Sequence, residues 1–212
     1  MTNFSNLTVV EHPLLQHKVG LLRDRRTPSA LFRQLVREIG LLLGFAALAD
    51  VPTVKTKIET PLTVTEVPTV VGSQLVFVSI MRAGNGLLDG LLDLVPHARA
   101  GHIGLARDEQ SLQADEYYFK LPENLNRQAL VLLADPMLAT ANSAIHAVTR
   151  LKREGLTQLR MMCVLAAPEG VRAFEAAHPD VSIFTAALDS HLDERGFIVP
   201  GLGDAGDRIY DS

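Results

Sequence analysis

Asp135 is the residue of this chain best placed to do chemistry. It follows the apolar run Ala129-Leu130-Val131-Leu132-Leu133-Ala134 and opens the segment Asp135-Pro136-Met137-Leu138-Ala139-Thr140-Ala141-Asn142-Ser143. A helix-like stretch from Ala144 to Glu154 comes next and stops at Gly155. The order is strand, carboxylate, short loop of small and hydroxyl residues, helix, and it suits a phosphorylated sugar. A carboxylate at a strand end accepts hydrogen bonds from sugar hydroxyls, while loop N–H groups and a helix N-terminus bind a phosphate dianion. Asp135 could instead be a plain helix N-cap, but burying a carboxylate after so apolar a run is costly without a partner. No Lys follows the loop, so the Walker A reading fails.

Other segments carry weaker signals. Met81-Arg82-Ala83-Gly84 follows the apolar run that ends at Ile80, and Arg107 also follows an apolar run. A guanidinium beside a Gly turn can meet phosphate oxygens, although a lone Arg there is by itself only a solvated charge. Gly201-Leu202-Gly203-Asp204-Ala205-Gly206 satisfies G-x-G-x-x-G, yet only six residues follow Gly206. That leaves no room for the helix and second strand of a dinucleotide unit, so the segment reads as a glycine-rich turn. The seven histidines form no H-x-x-x-H or Cys/His cluster, which gives no support for zinc. No G-x-S-x-G elbow is present. The single cysteine, Cys163, lies in the apolar run Met161 to Ala167 and reads as a core thiol.

The elements that must position these residues follow from periodicity. Thr27-Pro28-Ser29 opens a helix, with Thr27 as N-cap, and Leu31, Leu35, Ile39, Leu42 and Leu43 carry it to about Ala49. Thr53 to Val70, rich in Thr and Val and broken by Pro61 and Pro68, predicts two short strands joined by a turn. From Leu75 onward apolar strands alternate with helices: strand 75–80, helix 86–94, strand 102–106, strand 159–166, helix 169–177 and strand 181–188. Near-continuous apolar strands between helices predict a parallel sheet covered on both faces. Ligands of such sheets sit beyond the carboxyl ends of the strands, where every segment above falls. The polar stretch Asp108 to Asn126, with Tyr117, Tyr118 and Phe119, predicts a mobile hairpin arm that covers the site or contacts a second subunit.

A length of 212 residues with 47% hydrophobic content suits one folded domain. A net charge of −4 gives no reason to expect nucleic-acid or membrane binding. The first ten residues lack a signal-peptide layout, and no run approaches the roughly 20 apolar residues of a membrane span. A cytoplasmic protein is the expectation.

The Asp135–Thr140 segment, Ala166-Ala167-Pro168-Glu169-Gly170, and Val199-Pro200-Gly201-Leu202-Gly203-Asp204-Ala205-Gly206-Asp207-Arg208 occur in this order. With His12-Pro13-Leu14 and Gln16-His17-Lys18, they make the chain resemble the uracil phosphoribosyltransferase family along nearly its whole length. The resemblance implies an α/β fold with a central, mostly parallel sheet flanked by helices, a hairpin arm and a C-terminal base-binding loop, in one domain over residues 1–212. It implies the reaction of uracil with phosphoribosyl diphosphate (PRPP) to give UMP and diphosphate in pyrimidine salvage. Asp135 would hold the ribose hydroxyls. Residues Pro136, Met137, Leu138, Ala139, Thr140, Ala141, Asn142 and Ser143 would form the PRPP loop, with Thr140 and Ser143 on the 5′-phosphate. Arg82 and Arg107 would meet the diphosphate; Lys120 reads as merely exposed. Ile198, Gly203 and Ala205 would contact uracil through the main chain. Asp204 would lie near the diphosphate and its Mg²⁺, or orient the base. The resemblance also suggests a homodimer or higher oligomer and, in some members, activation by GTP.

This chain departs from the family's usual pattern in three places. The loop has Ala141-Asn142 where Gly-Gly is usual. The turn reads Ser79-Ile80-Met81-Arg82-Ala83-Gly84-Asn85, with Ser79, Met81 and Asn85 in place of Pro, Leu and Leu, and Ala106 replaces a Tyr before the second arginine. These changes keep open an alternative, a nucleotide-binding or regulatory descendant with weakened transfer. Ala forced into the left-handed region costs on the order of 1–2 kcal/mol, so weaker PRPP binding is expected.

Overall fold

The computed structural model describes residues 4–71, 74–107 and 114–212. The chain runs through β1 (Leu7–Val9), α1 (Pro13–Arg23), α2 (Ser29–Ala47), β2 (Thr53–Glu59), β3 (Val64–Val70), β4 (Leu75–Met81) and α3 (Gly84–Leu94). It continues through β5 (Arg99–Arg107), β6 (Ala114–Lys120), β7 (Leu130–Ala134), β8 (Met137–Leu138), α4 (Asn142–Arg153) and β9 (Leu159–Ala166). α5 (Pro168–Ala177), β10 (Ser182–Leu188), β11 (His191–Leu192), β12 (Ile198–Val199) and α6 (Ala205–Tyr210) complete it.

The apolar runs pair as one sheet in the order β1-β10-β9-β7-β4-β5-β6, with β8 added to β9. Every pairing in it is parallel except β5 with β6. Strand alternation divides the core. Leu75 and Phe77 point to one face with α1, α2 and α3, represented by Leu15, Ile39, Leu43, Leu87 and Leu91. Val76, Val78 and Ile80 point to the other, against Val148 and Leu151 of α4 and Phe174 of α5. Each such side chain, fully buried, contributes about 1.5–3 kcal/mol. Burial on both faces is why the central strands β4 and β7 carry no polar residue except Ser79.

The order contains a reversal that matters for function. After β4 the chain turns outward to β5, whereas after β7, on the other side of β4, it proceeds to β9 and β10. Beyond the carboxyl ends of β4 and β7 the connections diverge and leave a crevice, where doubly wound sheets take their ligands.

Several local details differ from expectation. Pro28, not Thr27, occupies the N-cap of α2, because the Thr27 hydroxyl is engaged with Leu21 O at 2.6 Å. The helix ends at Ala47 rather than Ala49. Helix α1 went unread; its cap is His12, whose Nδ1 accepts from Leu14 N at 3.2 Å, with Pro13 in the first turn. The short strands β1, β8, β11 and β12 were also missed, since pairs and triplets of residues show no period. The Asp108–Asn126 stretch contains β6, which returns along β5 inside the main sheet; residues 108–113 lie outside those described. The element that stands apart is the β2–β3 hairpin, paired from Thr53↔Val70 to Glu59↔Val64.

Candidate active site

The loop after β7 is held by strand-like alternation. Asp135 N donates to Met162 O at 3.1 Å, Pro136 O accepts from Val164 N and Leu165 N at 2.9 and 3.1 Å, and Leu138 O accepts from Ala167 N at 3.0 Å. Pro136 and Leu138 therefore turn their side chains into the protein, and neither lines the cleft. Asp135, Met137 and Ala139 face the other way, into it. Within the run 135–143, Pro136 and Leu138 are thus the residues that line neither cavity, and pleating is the reason.

Beyond Ala139 the chain makes a tight bend. Ala141 has φ 68° and ψ 0°, the left-handed conformation that the loop was expected to force on it, and it is the N-cap of α4. Asn142 already belongs to the helix. No side chain caps α4, so its first N–H groups are free to bind an anion. They open on a cavity of about 180 Å³ whose wall includes Asp135, Thr140, Ala141, Asn142, Ser143 and Ala106. The size and chemistry suit a phosphate with part of its sugar.

A second cavity, of about 270 Å³, adjoins the first and shares Asp135, Met137, Ala139 and Gly196 with it. Its far wall is Ile198, Gly203, Asp204 and Ala205, the residues expected at the base. The Ile198 and Ala205 side chains are buried, which leaves their main-chain groups for a ligand. Gly203 has φ 82°, so a side chain there would be strained. Asp204 has a structural duty too: its Oδ1 caps α6 by accepting from Asp207 N at 3.0 Å. The expectation that no helix could follow Gly206 is thereby corrected, since α6 fits one short turn-and-a-half before the end by starting at Ala205.

The two carboxylates feel each other. The Asp135 carboxyl is pushed up to about 7, first by burial and further by the charge on Asp204, against a lowering hydrogen bond from Met137 N–H.

Arg82 lies at the exposed tip of the turn after β4, and the Met81–Arg82 peptide is cis. The guanidinium sits 5.3 Å from the Tyr210 ring centroid, and the Tyr210 hydroxyl donates to Arg82 O at 3.0 Å. Arg82 itself lines neither cavity, but its neighbour Ala83 lines the second. Gly84 allows the turn to lie against the Asp135 strand, because a Cβ there would come within 2.5 Å of Ala134 O. Arg107 is the last residue of β5, opposite Ala114, rather than beyond the strand.

Sequence reading missed Arg195, Gly196 and Phe197, which wall the second cavity. They form the loop between β11 and β12, organised by Asp193, whose Oδ1 accepts from Arg195 N and Phe197 N at 2.9 and 2.8 Å. These main-chain bonds, that from Phe197 first, hold the Asp193 carboxyl below its ordinary value. An Asp three residues before a Gly between short apolar pairs was the available signal. The base loop is anchored from behind. Arg23 pairs with the buried Asp189 through both guanidinium ends and also donates to Gly201 O at 2.8 Å, while Gly201 N donates to Asp189 Oδ2 at 2.9 Å. Arg208 lies 4.4 Å from the Phe32 ring centroid and donates to Leu202 O and Asp24 O at 2.9 and 2.7 Å.

The family profile described as uracil phosphoribosyltransferase matches residues 9–212. The chain belongs to the uracil phosphoribosyltransferase family. It is 56% identical to a uracil phosphoribosyltransferase of Rhizobium meliloti, over 96% of this chain and 97% of the relative. A uracil phosphoribosyltransferase of Brucella ovis is also 56% identical, over 96% and 98%. Among solved structures, a protein of Aquifex aeolicus superposes with a TM-score of 0.92 at 34% identity, covering 96% of this chain and 97% of the other. A hypoxanthine-guanine phosphoribosyltransferase of Bacillus anthracis shares the fold at a TM-score of 0.52, covering 76% and 80% at 9% identity. The chain is thus a phosphoribosyltransferase, and membership at this identity does not favour the weakened, regulatory alternative.

Proposed function

We propose that this enzyme joins uracil to the ribose of PRPP, forming UMP and releasing diphosphate. The observation that supports it best is the pair of cavities meeting at Asp135, one walled by a helix N-terminus and the other by main-chain groups. In this reading Thr140, Ser143 and the amides of α4 grip the 5′-phosphate, and Asp135 accepts from the ribose hydroxyls. Arg82 and Arg107 take the diphosphate. As the C1′–O bond breaks, its electron pair leaves with the diphosphate, and N1 of uracil forms the new bond to C1′ and gives up its proton. Charge stabilisation at the leaving group and alignment of N1 with C1′ are what the protein supplies.

Mg²⁺ would neutralise diphosphate oxygens in this site. Asp135 and Asp204 are the two carboxylates that line the second cavity, hard oxygen donors of the kind Mg²⁺ takes, and they would be the acids nearest such an ion.

Base choice follows from rigid donors and acceptors. Uracil presents N3–H between two carbonyls, and cytosine reverses the pattern at two positions. Main-chain groups of Ile198, Gly203 and Ala205 cannot rotate to exchange roles, so discrimination of roughly 10⁴-fold is expected. Purified protein with PRPP, Mg²⁺ and each base in turn tests both statements. UMP should form and CMP essentially should not; no UMP would refute the activity, and comparable kcat/KM values would refute the specificity.

The same proposal includes one domain over residues 1–212 in the cytoplasm, where a lone buried cysteine is at home. It also includes a homodimer or higher oligomer, which the exposed β2–β3 hairpin supports, and activation by GTP, tested by adding GTP to the assay.

A further inference from the structure

Ser79 sits inside the apolar run of β4 and is fully buried. A hydroxyl in that position costs free energy unless it is bonded. Its Oγ donates to Asn85 Oδ1 at 2.7 Å and lies 2.9 Å from His102 Nδ1. A hydroxyl has one proton, so with that proton given to Asn85 it must accept from His102, which is then the Nδ1–H tautomer.

The three residues come from three elements. Ser79 lies in the buried part of β4, Asn85 is in the first turn of α3, and His102 stands beside Ser79 in the register of β5. Between Ser79 and Asn85 runs Ile80-Met81-Arg82-Ala83-Gly84. The side-chain bond closes this turn at its base, just as the Tyr210 hydroxyl ties it at its tip. His102 links it to the strand that carries Arg107. Two of the departures from the usual turn, Ser79 and Asn85, are thus the two ends of one hydrogen bond. Without Asn85 the Ser79 hydroxyl would keep only His102, and without Ser79 the Asn85 amide would lose its partner across the turn.

We propose that Ser79, Asn85 and His102 are positioning residues that set the Arg82 turn for the diphosphate of PRPP. The proposal rests on the assignment of Arg82 to that diphosphate. Asn85→Leu removes the bond that closes the turn and leaves the Ser79 hydroxyl only His102, so the KM for PRPP should rise roughly tenfold, about 1.4 kcal/mol, with the KM for uracil nearly unchanged. The double variant Ser79→Ala/Asn85→Leu also lacks the bond that closes the turn, so its KM for PRPP should stay raised; recovery of the parent value would overturn the positioning role. Should Asn85→Leu fail to fold, ¹⁵N spectra of the unaltered protein still decide, and should show His102 protonated at Nδ1. Arg82→Lys is measured in parallel and should impair PRPP use, because the planar fork is lost. A silent Arg82→Lys would overturn the Arg82 assignment and this inference with it. An impaired Arg82→Lys beside an unchanged PRPP KM in Asn85→Leu would overturn the inference alone. So would an Nε2–H tautomer, or an equal rise in the KM for uracil.

Discussion

Ala141 carries backbone strain. Its φ of 68° lies in the left-handed region, which costs an alanine on the order of 1–2 kcal/mol, and the folded protein bears that cost. This changes where a glycine would show its effect. Ala141→Gly should stabilise the protein by about 1 kcal/mol, a Tm rise of roughly 2–4 °C, with a smaller change in the KM for PRPP. Calorimetry and a PRPP titration on the same variant separate the two. A tenfold fall in KM with an unmoved Tm would mean that Ala141 turns left-handed only in the complex. Asn142 is helical and has no such strain to release.

Asp135 gives the residue scale its pH dependence. Its folded carboxyl is raised to about 7 from an ordinary 3.8, so the folded state favours the protonated form. The stability this group contributes is therefore complete below its ordinary value and is lost as pH rises through about 7. Asp135→Asn removes that loss, and its Tm advantage over the parent should be a few degrees larger at pH 8 than at pH 5, by melting curves. Ribose hydroxyls need the ionised acceptor, so the parent's kcat/KM for PRPP should climb through the same interval. In Asp204→Asn the neighbouring negative charge is gone and the midpoint of that climb should move to lower pH. A midpoint that stays put would show that the climb belongs to another group.

At the scale of elements, the base loop is positioned from outside itself. Asp189 is 9% exposed and binds Arg23 and Gly201 N together, which ties α1 to the residues just before Gly203. Asp189→Asn leaves a guanidinium partly buried without its counter-ion, a loss of about 3 kcal/mol by the usual cost of breaking a buried pair. The KM for uracil should rise more than that for PRPP, because the phosphate loop is anchored separately on β9. Steady-state kinetics at a temperature where the variant is folded provide the check, and equal changes in both constants would contradict the separation.

For the whole molecule, the unpartnered element is β2–β3. Register places Val54, Thr56 and Ile58 on one face with Thr65, Val67 and Thr69, all uncharged, and Lys55, Lys57, Glu59 and Glu66 on the other. A two-stranded hairpin is at best marginally stable in water, so this one needs a surface to lie on. Sedimentation should find a dimer or larger species, and Val54→Glu/Ile58→Glu should shift it toward monomer with the Tm of the main fold little altered. A monomeric parent protein would remove the hairpin from the account.

What the sequence determined by itself is local and periodic. The apolar runs at 75–80, 129–134 and 159–166 could be read as buried parallel strands because each residue's neighbours announce it, and the Asp135 loop could be read because its residue types and order are contiguous. Ile198, Gly203, Asp204 and Ala205, which line the second cavity, were named by resemblance and not by a local pattern. What only the tertiary structure decided was pairing across distance. Nothing near Asp189 points to Arg23, 166 residues away, nor anything near Arg82 to Tyr210, 128 residues away. The Asp193–Phe197 loop escaped because a two-residue strand has no period to detect. Ser79 and Asn85 looked like independent losses until the turn between them brought their side chains to 2.7 Å. A hydrogen bond needs its two ends in one place, and the order of residues along a chain does not fix that place until the sheet has closed around it.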